Sequence, residues 1–337
     1  MNRPRVVIVG AGGIASAWLP GVKAENLEVV AVVDLQLEAA QRRIDEFDLG
    51  AKASTDLAAV LAAESPDFVL DLTVPEARAK VVTAALEAGC HVLSEKPMAA
   101  SMTEARGLLE LSEETGKLFM VSQNRRWDAN HVQIEEALRQ KVLGTVGIIN
   151  CAFYLGAHFG GFRDEMAHPL LLDMAIHHFD LARFFSGADP LAVYAKGFNP
   201  QGSWYQGDAA ASCIFEMTNG LVFSYQGSWC AEGQPTSWNG DWRFVGERGS
   251  ILYERDAPPQ AQIVAGHEGF RRPLEDLELP IITLDYPQQH GALREMLEFL
   301  QGGPLPSTEA KDNIKSLAMV FGAVESARTG ERIVLEL

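Results

Sequence analysis

The chain has 337 residues, long for one core and suited to two domains of ordinary size. Hydrophobic residues make up 47 %, which excludes a disordered chain, and no apolar run is long enough to span a membrane. Acidic residues outnumber basic ones 45 to 28, for a net charge of −17, and a surface this negative excludes nucleic acid as a partner.

The first 120 or so residues alternate short Val/Ile-rich runs with helical stretches. Strands are predicted over 5–9, 27–33, 67–72, 91–93 and 118–121, and helices over 35–47, 76–88 and 102–115. Near-continuous apolar strands separated by helices imply a parallel sheet covered on both faces, a Rossmann-type α/β domain. The pattern changes near residue 122. A helix over 127–140 precedes a strand over 146–153, a loop and another helix. Strands then follow over 191–197, 209–217, 221–229, 241–245 and 249–253. Thr218-Asn219-Gly220 is a hairpin turn signal. Two helices, 289–300 and 310–328, close the chain. The expectation is a Rossmann-type α/β domain over 1–122 and, over 123–337, an α+β domain with an open-faced, mainly antiparallel sheet.

Residues 1–5 lead straight into a strand with no signal-peptide pattern, so a cytoplasmic location is expected. Cys90, Cys151, Cys213 and Cys230 show neither metal-ligand nor disulfide spacing, and no metal is expected.

Gly10-Ala11-Gly12-Gly13-Ile14-Ala15 directly follows the first strand and opens a helix, fitting G-x-G-x-x-A. Gly10 allows the tight turn, Gly12 lets backbone approach a pyrophosphate, and Ala15 permits close helix–strand packing. The helix N-terminus supplies N–H donors for the phosphates. Asp34 closes the second strand at the spacing expected of a carboxylate that accepts the adenosine ribose hydroxyls. These residues point to NAD. Arg42 and Arg43 lie further along the next helix, away from that carboxylate.

Asp173, His177 and Asp180 share one face of an apolar helix. An acid beside an imidazole in such surroundings is a proton-transfer arrangement, with Asp173 orienting His177. His178 points a quarter-turn away and reads as structural. Lys96 ends a strand before Pro97, where an ammonium can share charge developing on a reacting oxygen. A Gly-rich loop over 156–167 carries His158 and Arg163 and is placed to cover a pocket. Trp229, Trp238 and Trp242 fall in one strand-rich stretch, as suits either sugar faces or an ordinary sheet.

With Ser94-Glu95-Lys96-Pro97 and Asp173-Met174-Ala175-Ile176-His177-His178-Phe179-Asp180 beside the glycine loop, the chain resembles the glucose–fructose oxidoreductase / inositol dehydrogenase family, Gfo/Idh/MocA, over essentially its whole length. The resemblance implies hydride transfer between a secondary alcohol or ketone of a sugar, cyclic polyol or derivative and nicotinamide. Lys96, Asp173 and His177 would be catalytic. Gly10, Gly12, Gly13, Ile14, Ala15, Asp34, Thr73, Pro75, Glu95 and Lys96 would hold the cofactor. Lys96, Asn124, Arg163, His168, Asp173, His177 and Trp238 would contact substrate. A homodimer or homotetramer through the second-domain sheet is implied as well. Ala175 stands where the family has glycine, Ala167-His168-Pro169 replaces a glycine run, and Arg78 stands where the family often has histidine. Relatives that act as NAD-dependent glycosidases, or as NAD-binding sensors without catalysis, supply the alternative readings.

Overall fold

The structure, a computed structural model, describes residues 3–336. The chain forms two compact units, one of residues 1–127 with 285–314, the other of 128–284 with 315–337.

The first unit begins β1 (Arg5–Val9), α1 (Ala15–Ala24), β2 (Glu28–Val33), α2 (Leu37–Phe47), β3 (Lys52–Ser54), α3 (Leu57–Glu64), β4 (Phe68–Asp71), α4 (Pro75–Glu87), β5 (His91–Glu95), α5 (Met102–Thr115) and β6 (Phe119–Ser122). Its six strands run parallel in the order β3-β2-β1-β4-β5-β6. That is the expected Rossmann arrangement, and it places every strand's C-terminal end on one edge. Local chemistry sets the helix starts. Asp56 caps α3 through Ala59 N, Ser101 caps α5 through Glu104 N, and Pro75 occupies the first turn of α4.

The second unit holds α6 (Ala129–Arg139), β7 (Val146–Tyr154), α7 (Phe162–Glu165), a π-helical turn over Leu170–Met174 and α8 (Ala175–Ser186). There follow β8 (Pro190–Phe198), β9 (Ala210–Met217), β10 (Val222–Ser228), β11 (Asp241–Gly246), β12 (Gly249–Tyr253), β13 (Gln260–Val264) and β14 (Leu274–Leu277). The closing elements are α9 (Gln289–Leu300), α10 (Ala310–Thr329) and β15 (Ile333–Val334). The second sheet has nine strands, ordered β14-β13-β12-β11-β7-β10-β9-β8-β15, antiparallel except for the β7–β10 pair. Asn219 and Gly220 adopt φ of 62° and 71° in the turn that joins β9 to β10. One face of this sheet is buried, with Phe179 of α8 edge-on to Phe215 and Tyr225. The opposite face carries exposed Ile148, Tyr194, Ile214 and Val222.

A single boundary near residue 122 was expected; the chain instead returns to the first unit over 285–314. Its α9 presents Ala292, Leu293, Met296 and Leu297, spaced as one helical stripe. These residues pack into the core formed by Val6, Ile8, Trp18 and Leu70. Burying each large side chain there contributes roughly 1.5–3 kcal/mol. Among the described residues no helix is long and apolar enough to cross a membrane.

Candidate active site

The glycine loop sits at the carboxyl edge of β1. Gly10 has φ +99°, and a Cβ there would lie 2.8 Å from the Leu72 carbonyl carbon, so the turn is closed to other residues. A Cβ on Gly12 or Gly13 would meet nothing within 4 Å. Both are exposed at the start of α1, where the N–H groups of Ala15, Ser16 and Ala17 bond the carbonyls of Gly12, Gly13 and Ile14 at 3.2, 3.2 and 3.0 Å and the N–H groups of Gly12 and Gly13 themselves are left for a ligand. This is an open cradle of backbone donors at a helix N-terminus, the fit a dinucleotide pyrophosphate requires.

Asp34 stands beside it. One carboxylate oxygen accepts from Ala11 N at 2.8 Å, the other from Gln36 N at 2.9 Å. Arg43 lies closer than its sequence position suggested: its guanidinium donates to the carbonyls of Ala11 and Gly12 and pairs with Glu46 at 2.7 Å. Helical twist brings it back over the loop, which spacing along the chain did not reveal.

Lys96 follows the last residue of β5 and precedes Pro97 through a cis peptide bond. Its backbone N–H donates to the Glu95 carboxylate at 3.1 Å. The other oxygen of that carboxylate accepts from Trp18 Nε1 of α1 at 2.8 Å. Glu95 is thereby engaged inside the domain, tying the lysine turn to the nucleotide helix. Thr73, just past β4, donates both its N–H and its hydroxyl to Asp71, at 2.9 and 2.6 Å. Asn124 donates to the Gln288 side chain at 2.7 Å.

In the second unit, Asp173 lies within the π-helical turn and His177 in the first turn of α8. The wider turn alters the phase between them relative to a straight α-helix. Both are half-buried. Asp173 accepts from Arg163 Nε at 2.6 Å. Arg163 also lies over the rings of Phe159 and Phe162, at 5.0 and 4.7 Å from their centroids. Phe159 in turn is 6.2 Å from the Trp238 ring and 5.2 Å, edge-on, from Trp229. Asp173, Arg163 and Trp238, named separately from sequence, therefore belong to one connected patch. His168 Nδ1 lies 3.4 Å from Asp208.

Sequence reasoning missed the segment that backs this patch. Tyr205 stacks on Trp229, and its hydroxyl donates to the Ala157 carbonyl at 2.7 Å. Burial pushes that phenol up to about 12. The amides of Gln206 and Asp208 bond the carbonyls of Asp164 and Ala167, each at 2.8 Å. The Gly-rich loop is thus pinned along its length. The signal was Trp204-Tyr205 beside Gly207, where a Cβ would strike the Ala167 carbonyl. His178 is fully buried among Phe153, Tyr225 and Trp242. Asp180 is buried too, accepting from Ser316 of α10 at 2.8 Å.

Comparison with known proteins accords with both halves. Residues 4–123 match the Gfo/Idh/MocA model described as an oxidoreductase family with an NAD-binding Rossmann fold, and residues 131–252 match a C-terminal domain model of the same family. The inositol 2-dehydrogenase of Rhizobium meliloti is 24 % identical, with 98 % of each chain covered. The 1,5-anhydro-D-fructose reductase of Ensifer adhaerens is also 24 % identical, again over 98 % of each. An oxidoreductase from Agrobacterium radiobacter, solved with NAD+, L-tartaric acid and magnesium, shares the fold at a TM-score of 0.85, with 20 % identity over 99 % of each chain. With an open cradle at the glycine loop and both domain models matched in order, this chain belongs to the Gfo/Idh/MocA oxidoreductase family and carries its NAD-binding Rossmann domain.

Proposed function

We propose that the protein transfers hydride between NAD and a secondary alcohol or ketone of a sugar, cyclic polyol or close derivative. The observation that carries this reading is the patch in which Asp173 and Arg163 adjoin the exposed rings of Phe159, Phe162 and Trp238, with buried Trp229 behind Phe159. Aromatic faces suit the C–H faces of a sugar ring, and the charged groups suit its hydroxyls. In oxidation, His177 removes the hydroxyl proton; in reduction it returns it. Asp173 orients the imidazole, and the Lys96 ammonium shares the charge that develops on the oxygen. The nicotinamide, when bound, supplies the hydride acceptor or donor.

The test is absorbance of reduced cofactor across a panel of sugars and inositols, with NAD and NADP run in parallel. Steady NADH formation with at least one member is expected, and silence across the panel in both directions would refute the reading. Asp34 would lie against a 2′-phosphate, and Arg43 is already paired with Glu46 and two carbonyls. NAD is therefore expected to be preferred by roughly tenfold, about 1.4 kcal/mol. Equal kcat/KM for the two cofactors would remove Asp34 from this role.

We further propose that two or four copies associate through the exposed sheet face bearing Ile148, Tyr194, Ile214 and Val222, since apolar side chains gathered on one sheet face favour a partner over water. Sedimentation should give a dimer or tetramer; a monomer at micromolar concentration would exclude it.

A further inference from the structure

Where the family resemblance leads one to expect histidine, this chain has Arg78, in the first turn of α4. Its side chain is 1 % exposed, and its partner Asp71 is fully buried. Arg78 Nε donates to one Asp71 oxygen at 3.1 Å. One terminal nitrogen donates to the Thr73 carbonyl, the other to the Pro97 carbonyl.

The three acceptors occupy the ends of two neighbouring strands. β4 and β5 pair in register as far as Asp71 opposite Ser94, and there the backbone ladder stops. Thr73 and Pro97 both lie beyond it. The guanidinium spans the gap, doing with side-chain donors what amides do within the sheet. Thr73 is consequently gripped on both sides, its N–H and hydroxyl by Asp71 and its carbonyl by Arg78. Lys96 is bracketed likewise, its own N–H by Glu95 and the next residue's carbonyl by Arg78.

Charge neutralisation alone does not account for this. A lysine could offset the Asp71 carboxylate, but a single ammonium is a compact point charge. Only a planar fork reaches one carboxylate and two carbonyls pointing different ways. We propose that Arg78, backed by Asp71, is a positioning residue that fixes the Lys96 turn against the Thr73 turn, setting where the Lys96 ammonium meets substrate. This rests on the catalytic reading of Lys96 given above.

The test compares Arg78→Lys, Lys96→Met and the double variant, in the full chain with NAD bound. Lysine keeps a cation opposite Asp71, so Arg78→Lys should fold, with a lowered melting temperature because the Thr73 and Pro97 carbonyls lose their donors. Single-turnover hydride transfer at saturating substrate should fall about tenfold, as sub-ångström misplacement of a reacting group does, while substrate KM changes little. Backbone amide exchange over 96–98 should quicken. On the Lys96→Met background the same change should cost nothing further, because the group it positions is gone. A folded Arg78→Lys protein with a wild-type rate would overturn the proposal while leaving Lys96 catalytic. An undiminished tenfold loss on the Lys96→Met background would overturn it as well. A wild-type rate for Lys96→Met alone would overturn the reading of Lys96, and the proposal with it. If Arg78→Lys fails to fold, Arg78→His, the residue of the family pattern, is put through the same cycle.

Discussion

Lys96→Met is expected to lower kcat by about 10² or more, roughly 2.7 kcal/mol of transition-state stabilisation. Methionine keeps the length of the side chain and removes its charge. As hydride leaves an alcohol carbon, negative charge grows on the oxygen. A fixed ammonium stabilises that charge more than the neutral ground state, so its loss should fall on kcat rather than on cofactor binding. The turn that carries Lys96 is held by Glu95, itself bonded to Trp18, and by Arg78. Those bonds run through the backbone of the turn, the Glu95 carboxylate and the Arg78 guanidinium, and the variant is expected to fold and bind NADH. The decisive measurement is single-turnover hydride transfer at saturating substrate. A rate within threefold of wild type would mean that Lys96 is not catalytic.

His177→Ala should reduce turnover by about 10² to 10⁴, with NADH binding, followed by fluorescence, intact. Its neighbour supplies the control. His178 is fully buried and its Nε2 lies 3.4 Å from the Trp238 carbonyl oxygen, whereas His177 retains access to solvent. His178→Ala should therefore act mainly on stability, by opening a cavity among Phe153, Tyr225 and Trp242. If activity per folded molecule collapses in His178→Ala and survives in His177→Ala, the helical register of the proton-transfer group is wrong.

The elements legible in the sequence were those whose burial is periodic or complete. β1, β2 and β4 are near-continuous apolar runs, and the glycine loop follows the first of them directly. Elements that bury little left no such trace. β3 is the three residues Lys-Ala-Ser, and α3 is Ala-rich with only Leu61 buried, so neither shows a stripe or an alternation. β13 and β14 lie toward the sheet's edge with mostly partial or full exposure and went unseen for the same reason.

At the site, the residue types were readable and their partners were not. Lys96, Asp173 and His177 stood in recognisable motifs, but Arg163 meets Asp173 only because a Gly-rich loop folds back, and Gly160 and Gly161 take φ of 70° and 67° to let it. The Arg78 brace had a signal that went unused. Asp71 ends an otherwise apolar strand, and a carboxylate buried there demands a cation nearby.

The return of residues 285–314 to the first unit gives synthesis on the ribosome an unusual order. The nucleotide-binding unit is begun first, yet its core is incomplete until Leu293, Met296 and Leu297 have emerged to cover the strands. Between residue 127 and residue 314 lie 187 residues of elongation (314 − 127), on the order of 10–40 s at roughly 5–20 residues/s. Through that interval the nascent Rossmann sheet waits with an apolar face unsealed, a natural target for chaperones. A fragment cut at residue 127 would be arrested permanently in that state.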